Sequence, residues 1–187
     1  MKKILLFILP LLLIVGCSSE KEPINTDKLD GKDGIFYMKD TNKPYSGRIF
    51  SLYDSGQKSF EGTTKDGKLE GKITVWYDNG QKRNEGTMKD GKPEGKNTVW
   101  YDNGQKRNEG TMKDGLPYGK ITDYYMNGQK ETEGTWNEWG PDGLRTSWYD
   151  NGQRLSKTWY KKGEMISQEC WDEDGNECEC SVVGECK

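Results

Sequence analysis

Sixteen residues, WYDNGQKRNEGTMKDG, occupy positions 76–91 and recur letter for letter at positions 100–115. Looser versions surround them, and a glycine opens each unit at Gly47, Gly71, Gly95, Gly119 and Gly143, every interval being 24 residues. A second series follows at Gly56, Gly80, Gly104, Gly128 and Gly152. Self-similarity at one period means that each unit packs mainly against its own neighbours, so the chain is a repeat array. Glycine recurs too often for a long helical run. Within unit two, Ile73-Thr74-Val75-Trp76-Tyr77 is β-branched and aromatic and favours a strand. Asn79-Gly80 is a strong hairpin signal, Lys82–Met88 returns, and Asp90-Gly91 turns into the next unit. The expected fold is all-β, an elongated single-sheet antiparallel meander of tandem β-hairpins, adding roughly 10 Å per unit.

A two-residue Asn79-Gly80 turn would set Trp76 opposite Arg83, Val75 opposite Asn84, Thr74 opposite Glu85 and Ile73 opposite Gly86. Trp76–Arg83 and Trp100–Arg107 would then be cross-strand cation–π pairs of about 0.5–1 kcal/mol each. A three-residue loop with a glycine bulge would shift that register by one.

The ends differ from the repeats. MKKILLFILPLLLIVGC opens with Lys2 and Lys3, continues with a short apolar stretch, and closes on Ile14-Val15-Gly16-Cys17. The apolar run is shorter than the ~20 residues a spanning helix needs and reads as a cleaved leader. Its close resembles the lipobox of bacterial lipoproteins. That resemblance implies cleavage after Gly16, lipid on Cys17, and a lipid-anchored envelope protein that is not cytoplasmic. Ser18 and Ser19 follow, which in a Gram-negative host resembles lipoproteins sent on to the outer membrane. Residues 1–16 are thus the expected signal peptide and 17–33 a polar, flexible tether. Residues 34–180 are the repeat domain, with a half-unit at 34–46 and a degenerate last unit at about 167–180, followed by a tail at 181–187. Cys170, Cys178, Cys180 and Cys186 lie outside the regular units. In an oxidising compartment they predict two disulfides in one of three connectivities, with zinc as the rival. The spacing matches no zinc-finger pattern, and no histidine exists to complete one.

Composition excludes several activities. Lys and Arg number 28 against 31 Asp and Glu; losing Lys2 and Lys3 leaves 26 against 31, a net of −5. The signs alternate along the chain, so no basic stripe for nucleic acid emerges. The absence of histidine removes histidine-based triads, acid–base work and His-ligated metal. Two carboxylates could serve a glycosidase, but Glu61, Glu85, Glu109 and Glu133 recur once per unit, as structural residues do. Asp172-Glu173-Asp174-Gly175-Asn176 hints at a calcium loop, yet Glu177 and Val183 stand where its glycine and glutamate are needed. No catalytic residue, cofactor or metal is expected.

The recurring Gly-Lys-x-x-x-Trp-Tyr-Asp-Asn-Gly-Gln-Lys…Glu-Gly…Lys-Asp-Gly resembles the MORN-repeat variant, the unit of YwqK-like antitoxins and of many bacterial lipoproteins. The resemblance spans about residues 34–178. It implies a non-enzymatic hairpin array that makes protein–protein contacts and, in the YwqK-like group, neutralises a toxin. The leading expectation is an envelope scaffold for a protein partner, with glycan binding and toxin neutralisation as the alternatives. Candidate binding residues are Trp76, Trp100, Tyr124 and Trp148 with Arg83 and Arg107, and Trp136 and Trp139 in the least regular stretch, 136–148. Packing alone is the competing reading of the aromatic series.

Overall fold

The computed structural model describes residues 21–181 and 184–187. The expected signal peptide and the lipidation residue Cys17 lie outside them.

Five hairpins of one design form the chain's long sheet. Their outgoing strands are Gly47–Leu52, Gly71–Trp76, Lys92–Trp100, Leu116–Tyr124 and Gly143–Trp148. The returning strands are Lys58–Lys65, Lys82–Lys89, Lys106–Lys113, Lys130–Asn137 and Arg154–Lys161. Glu164–Trp171 and Glu177–Cys178 complete the far end, and every consecutive pair is antiparallel. The meander expected from the repeat is therefore the observed topology.

The register differs from the two-residue-turn expectation at the tip. Ile73 opposes Gly86, Thr74 opposes Glu85 and Val75 opposes Asn84, but Trp76 opposes Lys82, and Arg83 is the extra residue of a bulge. The loop is longer than expected: the Tyr77 amide donates to Gln81 O at 2.8 Å and the Gly80 amide to Tyr77 O at 2.9 Å. Gly80 (φ 82°) has positive φ and Asn79 does not. Asn79 serves by its side chain instead, its Oδ1 accepting from the Gln81 amide at 3.0 Å. The two-residue turn with both φ positive is the other one, Asp90 (50°) and Gly91 (80°), flanked by the pair Lys89–Lys92.

Successive units are tied along the tip. Tyr77 Oη donates to Trp100 O at 2.8 Å, and Tyr53, Tyr101, Tyr125 and Tyr149 each make the same bond one unit onward. Asn79 Nδ2 donates to Asp102 O, Asn103 to Met126 O, Asn127 to Asp150 O and Asn151 to Glu173 O. At the opposite edge Glu70 accepts from the Asp90 amide and Glu94 from the Asp114 amide.

The core is thin and mostly threonine. Ile49 and Ile121 are buried, with Thr64, Thr74, Thr98, Thr122 and Thr158. Threonine suits such a layer because its methyl packs on the pleat while its hydroxyl finds a polar partner, as Thr64 Oγ1 does at Tyr45 O, 2.9 Å. The glycine of each Glu-Gly pair makes room for the next unit: a Cβ on Gly62 would stand 3.1 Å from the Ile73 methyl, and one on Gly110 would collide with Ile121. The gap beside Gly86 is filled by Asn97.

The segment expected to be a flexible tether is structured from Ile24. Ile24–Asn25 pairs parallel to Ile49–Phe50, the one parallel pairing of the long sheet among the described residues. Leu29–Lys32 and Ile35–Met38 form a separate two-stranded sheet. Leu29, buried at its start, is the apolar anchor that the polar composition concealed. The Phe36 amide bonds to Gly67 O and the Gly67 amide to Tyr45 O, docking this hairpin onto the first inter-unit turn.

At the far end Cys170 is bonded to Cys180 and Cys178 to Cys186. The disulfide expectation holds, and the structure selects one of the three connectivities.

Candidate functional site

Strand alternation places the second, fourth and sixth residues of each unit, counted from its opening glycine, on one face, with the lysine and glutamate of the returning strand. Three equivalent clefts result, of about 380, 350 and 400 Å³ along the chain. Their aromatic walls are Trp76, Trp100 and Tyr124 in turn. Each sits between a glutamate of one unit and the outgoing strand of the next.

The glutamates hold this face together. Glu61 bonds Arg48 and Lys58, each at 2.8 Å. Glu85 bonds Lys82 at 2.6 Å and Lys72 at 3.1 Å, and Glu133 bonds Lys130 at 2.5 Å and Lys120 at 3.1 Å. These hydrogen-bonded ammonium groups hold the Glu85 and Glu133 carboxyls below the ordinary range, Lys82 and Lys130 contributing most. Glu109 departs from the pattern: it takes Lys106 at 2.8 Å and the Tyr124 hydroxyl at 2.7 Å. Burial, then the bond to Glu109, pushes the Tyr124 phenol up to about 12. Lys96, the counterpart of Lys72, has no ion-pair partner among the described residues.

The predicted binding residues separate into four places. Trp76, Trp100, Tyr124 and Trp148 do share the cleft face, but the tryptophans are half-buried. A lysine of the preceding unit sits over each ring: Lys58 over Trp76, Lys82 over Trp100 and Lys130 over Trp148, 5.7–5.9 Å from the centroids. The face therefore presents ammonium groups rather than bare indoles. Arg83 and Arg107 are not paired with Trp76 and Trp100. Because of the bulge they lie over Tyr77 and Tyr101, and they line none of the three clefts. Trp136 lies on the opposite face under Arg145, whose guanidinium is 5.8 Å from the ring. Trp139 stands in the unit-four turn, 57% exposed.

Sequence reasoning missed the lysines over the rings and the Tyr–Asn ladder. The signal was present in the period: a tyrosine, an asparagine and a lysine recur every 24 residues as faithfully as the tryptophan.

Three segments of the chain match the MORN repeat variant family, residues 69–90, 93–114 and 141–162. They coincide with units two, three and five, and the two unmatched units, one and four, have the same hairpin register with the same bulge. Three of the five hairpin units thus match this repeat, and all five are built into one continuous hairpin sheet. No curated protein matches it.

Proposed function

We propose that this chain is a non-enzymatic scaffold, anchored at a bacterial cell envelope by lipid on Cys17, whose MORN-variant repeats bind a protein partner along the cleft face. Charge in register with the repeat carries this reading. From Arg48 to Glu133 the face has Arg48, Lys58, Lys72, Lys82, Lys96, Lys106, Lys120 and Lys130 against Glu61, Glu85, Glu109 and Glu133. Cations thus outnumber carboxylates on this face, although the whole chain has a net charge of −3. An acidic, extended protein segment would meet one cationic cleft per unit and be steered there at low salt.

The test uses the chain from residue 17 with Cys17→Ser, immobilised against the host's envelope extract. Two controls accompany it, Lys72→Glu/Lys96→Glu/Lys120→Glu and Trp76→Ala/Trp100→Ala. The expected result is one acidic protein, retained at low salt, released by added salt and lost with the charge-reversed face. Retention of glycan alone, or of the same proteins by the charge-reversed chain, overturns the proposal. A toxin among the retained proteins would make the scaffold an immunity protein. Anchoring is tested separately: acyl chains found by mass spectrometry on the N-terminal peptide support it, and an unmodified Cys17 in the mature chain refutes it.

A further inference from the structure

Units two and three differ at only three places, Ile73/Asn97, Lys92/Leu116 and Glu94/Tyr118. The last two differences fall together on the edge of the sheet where unit three passes into unit four. There a cleft of about 350 Å³ is lined by Leu116, Tyr118 and Trp139 together with Asp114, Asn137 and Glu138. Leu116 is 62% exposed, Tyr118 45% and Trp139 57%. Lysine, glutamate and an Asp-Gly turn occupy the corresponding places one unit earlier. The apolar surface is thus a local departure from units one and two, which carry Lys68 and Glu70, then Lys92 and Glu94, at these places.

The turn departs with it. Glu70 and Glu94 each accept a hydrogen bond from the next turn's first amide, and Asp142 accepts from the Lys162 amide at 3.1 Å. Tyr118 has no carboxylate to offer. The Glu138-Trp139 turn lacks positive φ at both residues, and the Trp139 amide is met by Asn137 Oδ1 at 2.9 Å. The consequence is an outward-standing indole beside an outward-standing phenol. Lys113 Nζ lies 5.0 Å from the Tyr118 centroid and Lys162 Nζ 5.5 Å from the Trp139 centroid.

We propose that this cleft is a saccharide-binding site, independent of the cationic face, that takes a neutral hexopyranose unit of a glycan. A purely apolar anchor would fill the cleft but strand Asp114, Asn137 and Glu138, and burying unpaired polar groups is unfavourable. Among the described residues neither the Asp114 nor the Glu138 carboxylate has an ion-pair partner. A pyranose brings both halves of the complement. Its axial C–H face is apolar and lies on an aromatic ring, whose π face is electron-rich. Its rim hydroxyls donate to the carboxylates and accept from the Asn137 amide and the Lys113 ammonium. A neutral sugar suits the site because Asp114 and Glu138 are offset by Lys113 and Lys162, which leaves no net charge to favour an ionic ligand. The cleft is small by the standard of ligand sites, about 300–1,000 Å³, which fits one or two sugar rings and weak, roughly millimolar binding.

The test titrates the soluble chain with cellotriose, maltotriose and the N-acetylglucosamine trimer, read by calorimetry and tryptophan fluorescence. Three variants accompany it. Trp139→Ala removes the indole, Leu116→Lys/Tyr118→Glu restores the spelling that unit two already folds with, and Trp100→Ala alters only the cationic face. At least one trisaccharide binds the parent chain, binds the first two variants about tenfold or more weakly, and binds Trp100→Ala unchanged. Absence of binding by all three sugars up to roughly 50 mM, well above the expected dissociation constant, overturns the proposal. So does binding that Trp139→Ala and Leu116→Lys/Tyr118→Glu leave intact. A proline-rich decapeptide is titrated in parallel, and its binding without any sugar would reassign the cleft to peptide recognition. Loss of the acidic protein partner in the Trp76/Trp100 variant, with sugar binding kept, would separate the two sites.

Discussion

Units two and three, spelled alike over sixteen residues, share the tip ladder and the capped turn: Tyr77 and Tyr101 donate onward at 2.8 Å, and Glu94 caps the turn of unit three as Glu70 caps that of unit two. The stretch from Leu116 to Pro141 keeps the strands and loses the cap. The inter-unit turn changes conformation there, and an indole and a phenol take the places of charged or turn residues. The contrast shows which parts of a unit carry the fold. The tip ladder and the glycine gap survive in unit four, where Tyr125 donates to Trp148 O and a Cβ on Gly134 would press on Trp136 and Arg145. The inter-unit turn can be rebuilt without breaking the sheet, so that is where the array has room for a distinct surface.

Substitutions can test this division. The largest effect is expected at the cystine-bound end: Cys170→Ser/Cys180→Ser should cost about 2–4 kcal/mol, read by thermal unfolding of the soluble chain. Hydrogen exchange should show the loss concentrated after Trp159, with units two and three protected as before. Next comes the glycine gap. Gly110→Ala sets a methyl against buried Ile121 and should cost about 1–3 kcal/mol. Gly86→Ala meets the Asn97 side chain, which can turn away at the loss of its 3.1 Å bond to Asn84, so it should cost less. Equal losses would mean that the two gaps are not distinguished by what fills them.

Tyr77→Phe and Tyr101→Phe should each lose about 1 kcal/mol, and equally, because each removes one hydroxyl from the same bond. Smaller still is the acid response. Glu61, Glu85, Glu109 and Glu133 have folded-state values below the ordinary 4.5. Their contribution is complete above about that value and disappears as pH falls through the lower folded one. Each pair is surface-exposed and contributes under about 1 kcal/mol. Tyr124→Phe should raise the Glu109 value toward ordinary while leaving Glu85 unmoved, measured by carboxyl NMR titration. The smallest effect is expected of Tyr118→Glu, within about 0.5 kcal/mol, since the neighbouring turn no longer needs its carboxylate.

Much of this architecture was legible from spelling. The 24-residue period, the strand pairs Ile73–Gly86 through Val75–Asn84 and the two-disulfide end all follow from periodicity, β propensity and cysteine placement. The tip register was not, because Asn-Gly fits two loop lengths. The choice between them rests on the Asn79 side chain, which accepts from Gln81 within the loop and donates to Asp102 one unit away, and on Tyr77, whose partner Trp100 also lies one unit away. Arg83 and Arg107 moved off the tryptophans for the same reason: one bulge residue reassigns every side chain beyond it. Leu29 anchored a segment whose polar composition reads as linker, since one buried side chain leaves little trace in an average. Exposure of Trp139 was beyond reach of the sequence. It depends on a turn conformation that no local residue pair dictates.

The tip ladder has a direction. Tyr77, Tyr101 and Tyr125 all donate toward the following unit, and the asparagines do likewise. Each unit thus supplies donors to its successor and receives them from its predecessor, like identical links that couple hook to eye. Inserting or deleting one whole link in the interior leaves every remaining coupling matched, and the sheet changes only in reach. Such a molecule is a ruler whose graduations are set by copy number: gene duplication can lengthen its span by about 10 Å at a time without redesigning either end.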